Sequence, residues 1–216
     1  MLFNIYIFIL PIILVLLFYS IYIIKFSPKK IRILGSIAIA LMLARYICVF
    51  KMLVSYSILN LYMLKITYFL NFIGIPIIVF IIGYVFLRRN NINFNYVFLF
   101  SVAVIIAYIF GMINLSCVTR DISGFGYNMV FENNMIVYWI YIIFNTALLF
   151  LSIVFSGKPH VNKIGLYMLA FSAFITILEY LATIINISFF PENIFGDLCF
   201  IITCIYGITK LTCCAS

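Results

Sequence analysis

Charge is scarce in this chain. Of 216 residues, 13 are Lys or Arg and 5 are Asp or Glu, so 8% are charged while 68% are hydrophobic. A soluble domain of this length could not cover its surface with so few charges. A water-soluble fold is therefore excluded, and the surface must face lipid. Catalytic vocabulary is equally sparse. There is one histidine, His160, and no HExxH, GxSxG or paired-carboxylate motif. The six cysteines, Cys48, Cys117, Cys199, Cys204, Cys213 and Cys214, include no CxxC and form no Cys/His cluster. No metal site, haem or other cofactor is expected, and no disulfide framework. His160 reads as a solvated loop residue. The terminal CCAS formally matches a prenylation box on Cys213, but a chain that already crosses the bilayer gains little from one more lipid anchor.

Basic residues do exceed acidic ones, giving a net charge of +8. They form neither a run nor a stripe, so no nucleic-acid partner is expected. They sit in small clusters between apolar runs, as the positive-inside rule prescribes for cytoplasmic loops. The length accommodates about seven spans of roughly 20 residues. The spans are placed at 2–24, 33–50, 66–87, 94–115, 135–155, 164–186 and 194–212. The expected fold is an all-α, polytopic membrane helix bundle forming a single domain, N-terminus outside and C-terminus cytoplasmic. With this threading, Lys25, Lys29, Lys30, Arg32, Arg88, Arg89, Lys158, Lys163 and Lys210 fall on the cytoplasmic side, nine of the thirteen basic residues. Four of the five acids fall outside or at the outer edge. The first span lacks a basic start and a small-residue cleavage site, so it reads as a retained helix. Residues 51–64 are expected along the outer interface or as extensions of neighbouring helices. Residues 116–134, rich in Gly, Ser, Asn and Asp, read as a long outer loop. Heavy use of Ile, Phe, Tyr and Asn points to an AT-rich genome, and a bacterial source is the expectation.

Polar groups inside the spans are the candidate functional residues. Arg45 lies 13 residues beyond Arg32, or about 20 Å along a helix. Glu179 lies 16 residues beyond Lys163, or about 24 Å, and Asp197 lies 13 residues before Lys210, or about 20 Å. All three reach a similar depth in the outer half of the membrane. Pairing Arg45 with Glu179 or with Asp197 would offset the roughly 3 kcal/mol that a lone intramembrane charge costs. The functional reading is a polar ligand pocket open to the outside. The plainer one is a buried ion pair, or side chains snorkelling to the surface. Gly74 and Pro76 mark a helix kink in the third span, as a hinge or an ordinary membrane-helix bend. Tyr46, Tyr62, Tyr68, Tyr138, Trp139, Tyr141 and Tyr180 cluster near outer ends. They read as an interfacial belt, with an aromatic pocket as the alternative.

The stretch LKITYFLNFIGIPIIVFIIGYVFLRR, residues 64–89, resembles the third helix of the N-terminal seven-helix sensor region of bacterial histidine kinases. Such regions often carry an aromatic-x-x-x-Gly-x-x-x-Pro-like stretch that runs into a basic loop. Here Phe72, Gly74 and Pro76 are more tightly spaced than that pattern. The basic loop after the first span and the longer outer loop after the fourth are also similar. The resemblance implies a sensory module. Because the sequence ends about four residues after the seventh span, it would need a cytoplasmic signalling partner in place of its own output domain. Its ligand would be a small molecule or peptide, and its location the cell membrane. The competing expectations are a small transporter or channel, using Asn71, Asn114, Asn145 and Thr146, an intramembrane enzyme acting on lipid, and a scaffold without ligand.

Overall fold

The computed structural model describes residues 2–54, 64–87, 93–122, 126–131, 135–185 and 193–215. The elements are α1 (Leu2–Ile24), α2 (Lys29–Val54), α3 (Lys65–Tyr68), α4 (Asn71–Leu87), α5 (Asn95–Asn114), β1 (Cys117–Ile122), β2 (Gly126–Phe131), α6 (Met135–Ser156), α7 (Lys163–Ile184) and α8 (Ile194–Ala215). Among the described residues, seven helical segments are long and apolar enough to cross a membrane, the short α3 and α4 together making the third. The outward faces of these helices carry large apolar side chains such as Phe8, Val15, Leu99, Phe110 and Phe150. That is the surface of a multi-pass membrane bundle.

Two expected boundaries shift for identifiable reasons. α2 begins at Lys29, not near 33, because Pro28 is well placed just ahead of a helix and its carbonyl accepts the Arg32 N–H at 2.9 Å. The Arg32 side chain turns back to the Ser27 carbonyl, with Nε and one terminal nitrogen at 3.2 and 3.0 Å. At its other end, α2 continues through Lys51 to Val54, so this part of the 51–64 stretch lengthens a helix. Residues 55–63 lie outside the described residues, as do Arg88 and Arg89.

α4 is the centre of the bundle. It packs against α2, α5, α7 and α8, while α1 packs on α2 and α8. Its isoleucines at 73, 75, 77, 78, 81 and 82 are all buried. In lipid there is no hydrophobic drive between helices, so close packing through small residues must hold such a bundle together. The end of α4 shows how. Phe86 is fully buried, and its carbonyl accepts the Asn162 N–H at 2.9 Å. Asn162 in turn caps α7 by accepting from the Gly165 N–H at 3.2 Å. A Cβ on Gly165 would sit 2.6 Å from the Phe86 ring. Gly83, also on α4, has nothing within 4 Å of the corresponding position.

These two glycines give opposite expectations for the same chemical change. Gly→Ala within a helix gains about 1 kcal/mol from propensity, while overpacking a filled site costs about 1–3 kcal/mol. Gly83→Ala should therefore raise the unfolding midpoint in detergent, and Gly165→Ala should lower it. Equal midpoints for the two variants would show that α7 does not pack on Phe86.

The segment expected as a long outer loop is a β-hairpin. β1 and β2 are antiparallel, registered from Cys117 opposite Phe131 to Ile122 opposite Gly126. The β-branched Val118, Thr119, Ile122 and Val130 suit strands. The hairpin caps the end of the bundle where α2 ends and α3, α6 and α8 begin. Met129 and Phe131 are buried beneath it. At this face the Lys65 ammonium closes the end of α5 by donating to the Met112 carbonyl at 2.9 Å and to the Leu115 carbonyl. The opposite face carries Lys25, Lys29, Lys30, Arg32, Lys158, Lys163 and Lys210. His160 is exposed in the turn between α6 and α7, with φ of 68°.

Candidate functional site

The third span does not run straight into the hairpin face. α3 ends at Tyr68, Phe69 and Leu70 form a turn, and α4 starts at Asn71. The Phe72 N–H bonds to the Phe69 carbonyl at 3.1 Å, so the Tyr68 carbonyl loses the donor a continuous helix would supply. Arg45 takes that place, with Nε donating to the Tyr68 oxygen at 3.1 Å. A membrane helix can be broken only where something satisfies the freed backbone. Here a guanidinium does so. The interruption lies upstream of Gly74 and Pro76, and α4 is helical through both. Gly74 also serves close packing, since a Cβ there would lie 2.7 Å from the Met42 sulfur.

Arg45 and Asp197 are the members of the predicted trio that pair. They form a salt bridge while only 3% and 2% exposed. The Tyr46 hydroxyl donates to Asp197 Oδ2 at 2.8 Å and accepts from Arg45 at 3.3 Å. The cluster thus joins α2, the α3–α4 break and the first turn of α8. Neither charge snorkels to the surface. Glu179 has a different role. Its two carboxylate oxygens accept the N–H groups of Phe195 and Gly196 at 2.9 and 2.7 Å. It caps α8 from α7, where the positive end of the helix dipole favours an anion. Gly196 permits this approach, because a Cβ there would lie 2.3 Å from Thr176 Oγ1 and 2.9 Å from Glu179 Oε2.

Beside the ion pair is a cavity of about 50 Å³, bordered by Arg45, Asn71, Asn128, Tyr138, Tyr180 and Asn193. The hairpin covers it through Asn128, whose side-chain oxygen accepts from the Tyr68 hydroxyl. Phe69 stacks on Phe131 with ring centroids 4.1 Å apart. Asn71 donates to the Tyr180 hydroxyl at 3.2 Å, and its own side-chain oxygen is buried without a partner. One ordered water needs about 10–15 Å³ of such space, so the cavity admits a few waters or a group of a few heavy atoms.

The expected interfacial belt is corrected here. Tyr46, Tyr68, Tyr141 and Tyr180 are buried inside the bundle, at 0%, 4%, 5% and 2% exposure. Their hydroxyls are close to the polar groups of this end, which alone would be costly to bury. Trp139 is exposed, at 47%, and Tyr62 lies outside the described residues. Sequence reasoning missed Tyr46 as an acid partner and the Tyr68 carbonyl as an Arg45 acceptor. The adjacency of Arg45 and Tyr46 is a signal only in retrospect. Cys117, on β1, is half-buried. Burial pushes its thiol up, against the lowering pull of Lys65. Among the described residues no three His, Cys, Asp or Glu side chains come together as a metal site.

Comparison with protein-family models, with curated proteins and with solved structures finds no match to this chain.

Proposed function

We propose that this chain is a receptor-like sensory module of the cell membrane, with its N-terminus and hairpin outside and its opposite, lysine-rich face in the cytosol. The charge distribution supports that orientation. Seven described basic residues lie on the face away from the hairpin, where the positive-inside rule puts them. The observation that carries the functional reading is the contrast between the two ends of the interior. At the hairpin end, a charged and hydrogen-bonded cluster ties three helices together around a small cavity. Below it, buried isoleucines and Phe86 of α4 pack against α2, α7 and α8. A transporter or channel needs a continuous polar path between the faces. A sensor needs a polar cluster with two arrangements and a packed body to carry the change.

In this reading the Arg45–Asp197 pair is the element that shifts. A ligand that competes for Arg45, or moves the hairpin from Asn128, would release α8 and change its position at the cytosolic face. The resemblance to bacterial histidine-kinase sensor regions agrees with this and gives the partner class, a cytoplasmic kinase or cyclase. The test has two arms. Reconstituted in liposomes loaded with potassium- and pH-sensitive dyes, the protein should give flux no higher than empty liposomes. In native membranes, a photocrosslinker in place of Lys163 should capture a cytoplasmic signalling protein, and one in place of Phe110 should not. Flux above background that falls in Asn145→Leu would replace the sensor with a transporter.

A further inference from the structure

The polar cavity is too small for most ligands, but a larger space opens toward the lysine-rich face. α5 packs chiefly on α4, and α6 packs chiefly on α7. Between them, over the surface of α4, lies a groove of about 350 Å³. That volume falls in the range of about 300–1,000 Å³ typical of small-molecule sites. α4 contributes Val79, Gly83 and Leu87 to its wall, so the groove follows that helix from 79 to 87, or about 12 Å at the helical rise. Phe80 and Phe100, with ring centroids 3.9 Å apart, stand at its inner end. Leu87, Tyr96 and Phe155 stand at its mouth, on the lysine-rich face. The groove is also open sideways. Tyr96, Phe100 and Leu151 on its wall are 66%, 39% and 48% exposed. In a membrane that opening faces lipid.

The mouth shows what the occupant is. Lys158 Nζ lies over the Phe155 ring, 4.6 Å from its centroid. The Lys158 N–H bonds to the Phe155 carbonyl at 3.0 Å, which fixes this lysine at the end of α6. On the α5 side, Asn95, next to Tyr96, accepts from Lys30 Nζ at 3.0 Å. That partner is neutral, so it leaves the Lys30 charge in place. Lys163, the first residue of α7, adds a third cation to this face. The described acids Glu179 and Asp197 are both at the hairpin end. The sequence has no Asp or Glu before 121 or between 133 and 178, so no carboxylate from α1, α2, α4, α5 or α6 balances the ammonium groups. The walls carry no charged side chain, and the Ser152 hydroxyl on them donates to the Leu148 carbonyl at 2.8 Å. An apolar groove that is open to lipid and ends beneath cations complements an acyl chain with an anionic headgroup. We infer that the α4–α5–α6 groove binds an anionic phospholipid, one acyl chain lying along Gly83 and the phosphate at Lys158, with Lys30 and Lys163 adding to the field that selects negative charge.

Lipid binding here does not depend on the sensory reading and is tested separately. The purified protein in phosphatidylcholine nanodiscs is irradiated with a trace of phosphatidylglycerol that bears a diazirine on one acyl chain. Labelling should concentrate on the groove residues of α4, α5 and α6. Unlabelled phosphatidylglycerol should compete it away, and added phosphatidylethanolamine, which is zwitterionic, should not. Gly83→Phe should reduce it by about tenfold. Gly83 borders the groove and a Cβ there has nothing within 4 Å, so the ring has room to enter the space the acyl chain would fill. Lys158→Gln, at an exposed turn, leaves the helices untouched. It should reduce labelling about fivefold, as loss of one cation near the headgroups implies, and should not change labelling by a phosphatidylcholine carrying the same diazirine. Labelling spread evenly over the outer surfaces of all helices, equal competition by phosphatidylethanolamine, or wild-type labelling in both variants would overturn the inference. So would crosslinks from the groove to a second copy of the chain in place of lipid. Liposome flux or a missing signalling partner would defeat the sensory reading and leave these labelling results unchanged.

Discussion

Asp197→Ala is expected to destabilise the protein by about 3–5 kcal/mol, the cost of leaving one member of a buried ion pair without its counter-charge. The Arg45 guanidinium would stay where it is, because its Nε also holds the Tyr68 carbonyl at the α3–α4 break, and Tyr46 would lose its acceptor on α8. Reversible unfolding in mixed micelles with increasing SDS measures this. Asp197→Asn should cost less, since its amide oxygen can still accept from Tyr46. The informative variant is the double one, Arg45→Met with Asp197→Leu. Replacing both charges of a buried pair by apolar groups is often close to neutral. The double variant should therefore recover most of the loss. It should stop about 1 kcal/mol short of wild type, because the Tyr68 carbonyl then has no donor. If Asp197→Ala alone falls within 1 kcal/mol of wild type, the pair does not hold α2 to α8 and the sensory reading loses its moving part.

That pair was half legible in the sequence. Counting residues from the basic flanks places Arg45, Glu179 and Asp197 at one depth, because helical rise is constant and lysine clusters mark the bilayer edge. Depth is all that such counting gives. Which acid meets Arg45 depends on the rotation of α7 and α8 about their axes, and these helices, apolar on nearly every side, have no stripe from which rotation can be read. The break at Phe69–Leu70 was illegible for a related reason. The residues that attract notice, Gly74 and Pro76, lie in the continuous part of α4, while the turn contains no Gly or Pro and is maintained by a distant arginine. The hairpin left more trace. Val118, Thr119, Ile122 and Val130 flank a Ser-Gly-Phe-Gly stretch, a fair strand–turn–strand signal that the turn formers in the same segment outweighed. The seven helices themselves were the most readable feature, since twenty apolar residues in succession have few other uses.

Glu179 sets up the second large effect, and it separates capping from ion pairing. Glu179→Ala removes two charge-assisted hydrogen bonds to the Phe195 and Gly196 N–H groups. Each such bond contributes about 1.5–3 kcal/mol when buried. Glu179 is only half-buried and Phe195 is partly exposed, so the low end applies and the expected loss is about 3 kcal/mol for the pair. Glu179→Gln keeps one carbonyl acceptor and turns a donor toward the other N–H, so it should fall between Ala and wild type. Gly196→Ala should resemble Glu179→Ala without touching the carboxylate, because its methyl would displace Glu179 and Thr176. Hydrogen exchange of the amides at the start of α8 is the direct readout. All three variants should speed exchange there while leaving α4 protected, since α4 is held by α2, α5 and α7 as well as α8. A charge partner for Arg45 would behave otherwise. If Glu179→Gln instead loosens α2 around Arg45 and spares the first turn of α8, then Glu179 belongs to the ion-pair cluster and not to the cap.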